Sequence, residues 1–248
     1  MAHAMASGQA RRRRVQRPGA ALGAAVGVLA VANVLNNTVA RRYAPLTSAV
    51  ATGALLLIAR QAGSGARDLG FATPARGALI GGGLAAAVAA GYTAGVLLPP
   101  TRRLFLDERA LALTRARLFE EALLQVPVGT VLLEEVAFRG VLPELFGYSL
   151  KPRAASVASN ALFGLWHVLP ALDMARANPA AARAGTPRLV AGTVATTTLV
   201  GLGFHELRRR GGLLAPALLH IATNSLGFLA ARGARRMNAR RLLKRSAR

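Results

Sequence analysis

Residues 131–142 read VLLEEVAFRGVL, and this stretch places two adjacent acids, Glu134 and Glu135, close to Arg139. The surrounding sequence from Leu123 to Phe146 is otherwise apolar and has the length of a membrane-buried helix. A charged side chain in such a helix costs on the order of 2–4 kcal/mol, so acids at that depth usually line a polar cavity and mark function. The stretch therefore predicts a polar site inside a membrane protein.

The composition of the whole chain agrees with a membrane protein. Of its 248 residues, 53% are hydrophobic and 17% are charged, and the mean hydropathy is +0.37. Six further uncharged runs approach the roughly 20 residues that a helix needs to cross hydrocarbon. They are residues 18–40, 43–59, 77–101, 154–172, 189–204 and 211–231. We expect an all-α polytopic bundle of about seven to eight transmembrane helices around an intramembrane polar cavity.

The charged residues divide the chain into three parts. Residues 1–17 form a basic leader that we expect to be disordered, residues 18–231 form a single polytopic membrane domain, and residues 232–248 form a basic tail. A net charge of +22 would suggest nucleic acid in a soluble protein, but here the arginines cluster at the ends of apolar runs. We therefore expect no nucleic-acid partner and expect the basic termini to bind anionic lipid headgroups.

The two acids have different expected neighbours. On an α-helix Glu135 and Arg139 lie about 40° apart, whereas Glu134 points about 100° away from Glu135. Arg139 can therefore neutralise Glu135, which favours a structural role for that pair. Glu134 is left to face a cavity as a candidate general base. The alternative is that all three residues form a buried triad that holds helices together.

Two later apolar runs each carry one histidine. Phe163 and His167 are four residues apart and share a helical face, and His220 and Asn224 have the same spacing. An imidazole and a carboxamide that project together can bind a carbonyl oxygen or a water. The alternative for each histidine is an ordinary hydrogen bond between packed helices.

Together these segments offer a carboxylate, two imidazoles and an amide, which suffice to activate water and to stabilise a tetrahedral oxyanion. The chain contains no cysteine, which excludes disulfides, zinc thiolates and a cysteine nucleophile. Hydrolysis is therefore the predicted reaction class. The glutamate version requires no cofactor, and a zinc version with Glu134, His167 and His220 as ligands stays open.

The order and spacing of these residues resemble the three motifs of the CPBP family, here Glu134-Glu135-x-x-x-Arg139, Phe163-x-x-x-His167 and His220-x-x-x-Asn224. That family comprises type II CAAX prenyl endopeptidases and bacterial relatives, including bacteriocin-processing and lysostaphin-resistance-like proteins. The resemblance covers residues 118–231, which we take as the protease core. It implies an all-helical intramembrane endopeptidase.

The resemblance also implies a role for each motif residue. Glu134 is the base that activates water, His167 assists at the water and substrate site, and His220 with Asn224 forms the oxyanion pocket. Glu135, Arg139 and Phe163 are the supporting residues. Because members have been described both as metalloproteases and as glutamate-dependent proteases, the resemblance leaves the zinc question open.

The expected substrate is a peptide or protein in or near a membrane, and the expected location is a cell membrane of the bacterial inner-membrane type. Bacterial members need not cleave prenylated CAAX termini, so the resemblance does not imply a CAAX substrate. The alternative function is a non-catalytic membrane scaffold, or a bacteriocin-immunity-type protein, in which the same polar cluster serves only to pack helices.

Overall fold

The computed structural model describes residues 18–178, 183 and 185–246, with side chains described as far as residue 240. The predicted basic leader at residues 1–17 lies outside this part. Within it the α-helices are α1 (Pro18–Val34), α2 (Ala44–Gln61), α3 (Ala66–Leu69), α4 (Pro74–Leu97), α5 (Glu108–Leu111), α6 (Arg115–Glu120), α7 (Leu133–Glu135), α8 (Leu142–Phe146), α9 (Pro152–Trp166), α10 (Val168–Ala177), α11 (Thr186–Gly211) and α12 (Leu214–Ser246). Three segments are π-helical, Leu35–Val39, Glu121–Leu132 and Val136–Val141, and two are 3₁₀-helical, Arg41–Tyr43 and Arg102–Phe105.

The long helices confirm the predicted all-α membrane bundle. Five stretches are long and apolar enough to cross a membrane by length and composition: Pro18–Val39, Arg41–Gln61, Ala66–Leu97, Pro152–Ala177 and Leu214–Arg240. Two more long helices accompany them. One is the continuous helix of residues 115–146, called the glutamate helix below, and the other is α11. The glutamate helix carries the two acids Glu134 and Glu135 together with Arg139.

The glutamate helix lies at the centre of the bundle because α2 and α12 pack against it. The Ser48 hydroxyl of α2 donates to the Gly129 carbonyl, and the Ser225 hydroxyl of α12 donates to the Ala122 carbonyl at 2.7 Å. Helix α9 is tied to it further along, where the Ser159 hydroxyl donates to the Phe138 carbonyl at 2.7 Å. Hydrogen bonds between membrane-spanning helices stabilise their association, because hydrocarbon offers no water to compete for these groups.

Helix α12 extends from the bundle into the predicted basic tail without interruption. The helix reaches Ser246, and two of its arginines bind the connection between α5 and α6. Arg232 donates to the Leu113 carbonyl, and Arg235 donates to the Leu111 carbonyl at 3.1 Å. The first part of the tail is therefore a continuation of the last membrane helix, with guanidinium groups that satisfy carbonyls left free at the end of α5.

Helices α4 and α12 approach closely at glycine, where the absence of a side chain lets the two backbones meet. A methyl group on Gly81 would lie 2.7 Å from the Ala215 carbonyl oxygen and 3.0 Å from the Leu218 Cβ atom. A methyl group on Gly82 or Gly83 would meet nothing within 4 Å. Of these three consecutive glycines, only the first is required by the contact.

We predict that Gly81→Ala lowers the free energy of unfolding by about 1–3 kcal/mol, because α4 and α12 must separate to admit the methyl group. Gly82→Ala is the matched control, and it should leave stability unchanged or slightly higher, since alanine favours helix and no atom is displaced. Both are measured by helix loss during denaturant titration of the purified protein in micelles. Equal effects of the two substitutions would contradict the close contact.

Candidate active site

His220 of α12 joins the two neighbouring acids of the glutamate helix. Its Nδ1 atom lies 2.7 Å from Glu135 Oε1, and its Nε2 atom lies 3.8 Å from Glu134 Oε2. All three side chains are buried, with 6% exposure for His220, 4% for Glu134 and 2% for Glu135. With Glu135 ionised, Nδ1 carries a hydrogen and donates it, because a carboxylate can only accept. Nε2 is then the ring atom presented to Glu134.

The sequence predicts different neighbours for the two acids, whereas in the structure His220 lies beside both of them. That expectation rests on α-helical spacing throughout. In the structure Glu134 and Glu135 lie in the short turn α7, and π-helical segments precede and follow it. The turn that carries both acids is itself α-helical, so their side chains leave the helix in different directions and reach different ring atoms, Glu135 at Nδ1 and Glu134 at Nε2. The helix can therefore present both acids to one imidazole.

Arg139 lies beside Glu135, at the distance that the sequence spacing predicts. Its Nη1 atom is 3.5 Å from Glu135 Oε1, and the guanidinium is fully buried. The guanidinium carbon lies 3.9 Å from the centre of the Phe163 ring and 5.1 Å from the centre of the Phe204 ring. The cation is thus placed between a carboxylate and two aromatic rings, which stabilise it when water is excluded.

Trp166 binds the other acid, and the sequence analysis did not select it. Its Nε1–H donates to Glu134 Oε1 at 2.8 Å, and the indole is 8% exposed. A buried indole N–H normally finds an acceptor. The sequence offers one indication of its importance, since this is the only tryptophan of the chain and it directly precedes His167.

His167 lies between α9 and α10, where the helix is interrupted. Its Nδ1 atom is 2.8 Å from the Phe163 carbonyl oxygen, so Nδ1–H donates and Nε2 stays available as an acceptor. The Phe163 ring lies between the two histidines, with its centre 4.6 Å from that of His167 and 6.4 Å from that of His220. His167 is therefore a neighbour of the cluster through Phe163, without a direct hydrogen bond to either acid among the described residues.

Asn224 lies one turn beyond His220 on α12 and is half-buried. Within the described part of the chain its carboxamide makes no hydrogen bond to the other site residues. The structure thus brings Glu134, Glu135, His220 and Trp166 together directly, and it places His167 and Asn224 at the margin of this group. The spacing of His220 and Asn224 on one helical face is as predicted.

Several buried polar atoms of the cluster have no hydrogen-bond partner among the described residues. They are Glu134 Oε2, Glu135 Oε2, the three side-chain nitrogens of Arg139 and Asn160 Oδ1. Buried polar groups are nearly always paired with protein or with ordered water. The cluster therefore has hydrogen-bonding capacity that water and a substrate can use. An apolar pocket of about 320 Å³ adjoins Glu135 between α12 and the loop before α4.

The three residues predicted as alternative zinc ligands do not form a metal-binding group. Glu134 and His220 face one another, but His167 is turned to the Phe163 carbonyl. Among the described residues, no group of three or more histidine, aspartate and glutamate side chains is arranged to hold a metal ion.

This fold and site define an all-α membrane protein with a buried centre of two acids and an imidazole. Residues 120–226 match the family described as Type II CAAX prenyl endopeptidase Rce1-like. The match confirms the resemblance that the three motifs indicate. The family is one of CAAX-type intramembrane proteases. Comparison with curated proteins and with solved structures found no match.

We predict that Arg139→Leu lowers the free energy of unfolding by about 3–5 kcal/mol, because the substitution leaves the Glu135 carboxylate buried without its cation. Arg209→Leu provides the control, since that arginine pairs with Glu206 while 66% of its side chain is exposed. Its loss should change stability by less than about 1 kcal/mol. Denaturant titration of the two variants makes the comparison, and a similar small loss in both would show that Arg139 is not a structural cation.

Proposed function

We propose that this protein is an intramembrane endopeptidase in which Glu134 activates the attacking water. The observation that carries the proposal is the position of His220 between the two acids. Glu135 holds the imidazole by Nδ1, and Nε2 faces Glu134 at 3.8 Å. A carboxylate and an oriented imidazole that share one polar site are the groups that peptide hydrolysis needs.

Glu134 is suited to the role of general base because its two oxygens have different environments. Oε1 accepts the indole hydrogen of Trp166, which fixes the plane of the carboxylate. Oε2 has no protein donor among the described residues and faces His220. One oxygen is thus occupied by a positioning bond, and the other is available to accept a proton from water.

Glu135 has a different role in this mechanism. It accepts from Nδ1 of His220 and lies beside Arg139, so its charge is used to orient the ring and to balance the cation. In the imidazolium form of His220, Nε2 also carries a hydrogen and can donate to the oxygen of a tetrahedral intermediate. The Asn224 amide, one turn further along α12, supplies a second donor.

The reaction then proceeds in two steps. Glu134 takes a proton from water while the water oxygen forms a bond to the substrate carbonyl carbon, and the negative charge on the carbonyl oxygen is stabilised by His220 and Asn224. The carbon–nitrogen bond breaks next, and the protonated Glu134 gives its proton to the departing amine. His167, with Nε2 free to accept, assists in holding the water or the substrate at the margin of the site.

The substrate proposed for this site is a peptide segment in or next to the bilayer, because two of the helices that build the site, α9 and α12, belong to stretches long and apolar enough to cross it. The proposed location is the cell membrane, with arginine-rich ends of the helices against anionic lipid headgroups. Family membership of the CAAX type makes a peptide with a C-terminal CAAX sequence the first probe, both prenylated and unprenylated.

We predict that Glu134→Gln lowers kcat by about 10²–10⁴-fold, because the amide cannot accept the proton of water. The assay uses purified full-length protein in proteoliposomes with internally quenched peptides that end in a CAAX sequence. Glu121→Gln is the matched control, since Glu121 lies on the same helix and pairs with Arg117 at the other end. It should retain activity.

Full hydrolysis by the Glu134→Gln protein would refute the general-base role. The same assay is repeated after treatment with a chelator. The glutamate mechanism predicts an unchanged rate, and a loss of activity that added zinc restores would instead favour the metal-dependent alternative.

We predict that Asn224→Ala lowers kcat by about 10²–10³-fold with KM nearly unchanged, because a donor to the oxyanion acts only when the charge develops. Asn224 is the informative position since its removal breaks no hydrogen bond between described residues. Thr223→Val is its control, because that hydroxyl binds only the Leu219 carbonyl of its own helix. An effect of Asn224→Ala confined to KM would count against the oxyanion role.

A further inference from the structure

The carbonyl of Trp166 lacks its usual partner within the helix. In a continuous helix it would accept from the backbone N–H of residue 170, but that residue is Pro170, which has none. An unpaired carbonyl at membrane depth costs several kcal/mol, so another donor is needed. The donor comes from a distant part of the chain: Asn33, at the end of α1, donates its Nδ2–H to the Trp166 oxygen at 2.9 Å.

The amide of Asn33 is itself held in one orientation. Asn37, one turn later, donates to Asn33 Oδ1 at 3.1 Å and to the Asn33 carbonyl at 2.9 Å. Because Oδ1 accepts from Asn37, the Nδ2 group is the side directed at Trp166. The two asparagines therefore present a fixed donor to α9 at the residue where that helix ends.

Trp166 connects this donor to the proposed base. Its main chain is held by Asn33, and its side chain donates to Glu134 Oε1 at 2.8 Å. A groove of about 340 Å³ between α1 and α9 borders Trp166 and Asn33, and the indole packs against the Phe138 ring with the ring centres 5.7 Å apart. Within this packing, the hydrogen bonds of Trp166 determine where its main chain and its indole N–H are held.

We propose that Asn33 is a positioning residue for the catalytic centre: by holding the Trp166 carbonyl, it keeps the indole N–H on Glu134 Oε1 and so leaves Oε2 directed at His220. The effect on catalysis rests on the proposed function of Glu134. The effect on the geometry does not, since the hydrogen bond between Trp166 and Glu134 is present whether or not these acids catalyse a reaction. The two can therefore be tested separately.

The geometric test uses the fact that Trp166 is the only tryptophan of the chain, so protein labelled with ¹⁵N-tryptophan gives a single indole N–H resonance. A hydrogen bond to a carboxylate is stronger than one to an amide. Glu134→Gln should therefore shift this resonance upfield in the otherwise unaltered protein. In the Asn33→Leu protein, whose indole has left Glu134, adding Glu134→Gln should produce no further shift.

Asn36→Leu is the matched control for this cycle. Asn36 lies three residues after Asn33, in the π-helical segment that follows α1, and its amide binds Ser48 rather than α9. The substitution removes a similar polar group at similar cost to folding, so the response to Glu134→Gln should persist in it. Asn37→Leu serves as a milder second variant, because it loosens the Asn33 amide without removing it, and it should reduce the response.

The kinetic test compares the same variants on the quenched CAAX peptides. Asn33→Leu should lower kcat about 10- to 100-fold with KM nearly unchanged, because a misplaced base affects the chemical step. Asn36→Leu should retain kcat.

A full response of the indole resonance to Glu134→Gln in the Asn33→Leu protein would overturn the positioning role, and so would equal kcat losses in Asn33→Leu and Asn36→Leu. If Glu134→Gln proves active while the resonance behaves as expected, the proposed protease mechanism fails and the coupling between Asn33 and Glu134 stands.

Discussion

The rest of the site depends on the interactions that the Glu135 carboxylate makes with His220 and Arg139. The carboxylate lies between the imidazole of His220 and the guanidinium of Arg139, both of which are buried. The guanidinium could not be kept at that depth without an opposite charge close by, and the Nδ1–H of the imidazole needs an acceptor there. Through these two partners the carboxylate holds α12 to the glutamate helix, and through the rings over Arg139 it also involves α9 and α11. Four separate helices are therefore connected through one charge balance.

This charge balance separates the roles of two residues that are adjacent in the sequence. Glu135 pairs with the Arg139 cation and accepts from His220, whereas the hydrogen bond that holds Glu134 comes from a neutral indole. A neutral donor orients a carboxylate without pairing its charge. On the proposed mechanism this difference is useful, because a base must be fixed in place and yet keep an oxygen able to bind a proton. Because the two acids leave the helix in different directions, they meet different atoms of a single imidazole, Glu135 at Nδ1 and Glu134 at Nε2.

The sequence predicts the class of fold and the participants of the site, but not their contacts. Apolar runs indicate the helices because crossing hydrocarbon demands about 20 apolar residues, and ionisable residues stand out against that background. The pairing of Glu135 with Arg139 follows from their spacing on one helix. The bond from Trp166 to Glu134 does not, because it joins helices whose relative rotation no local pattern specifies. For the same reason three consecutive glycines look alike in the sequence, although only Gly81 faces α12.

The interruption of a helix at His167 explains why polar groups collect at this level of the bundle. A break in the middle of a membrane helix frees backbone carbonyls that water cannot reach, so side chains must satisfy them. His167 binds the Phe163 carbonyl, and Asn33 binds the Trp166 carbonyl that Pro170 leaves without a donor. Each of these hydrogen bonds is needed for the fold whether or not the site is catalytic. One holds the His167 ring at the margin of the site, and the other holds the main chain of Trp166, whose indole binds Glu134. The hydrogen bonds that compensate for the helix break therefore also determine the geometry of the site.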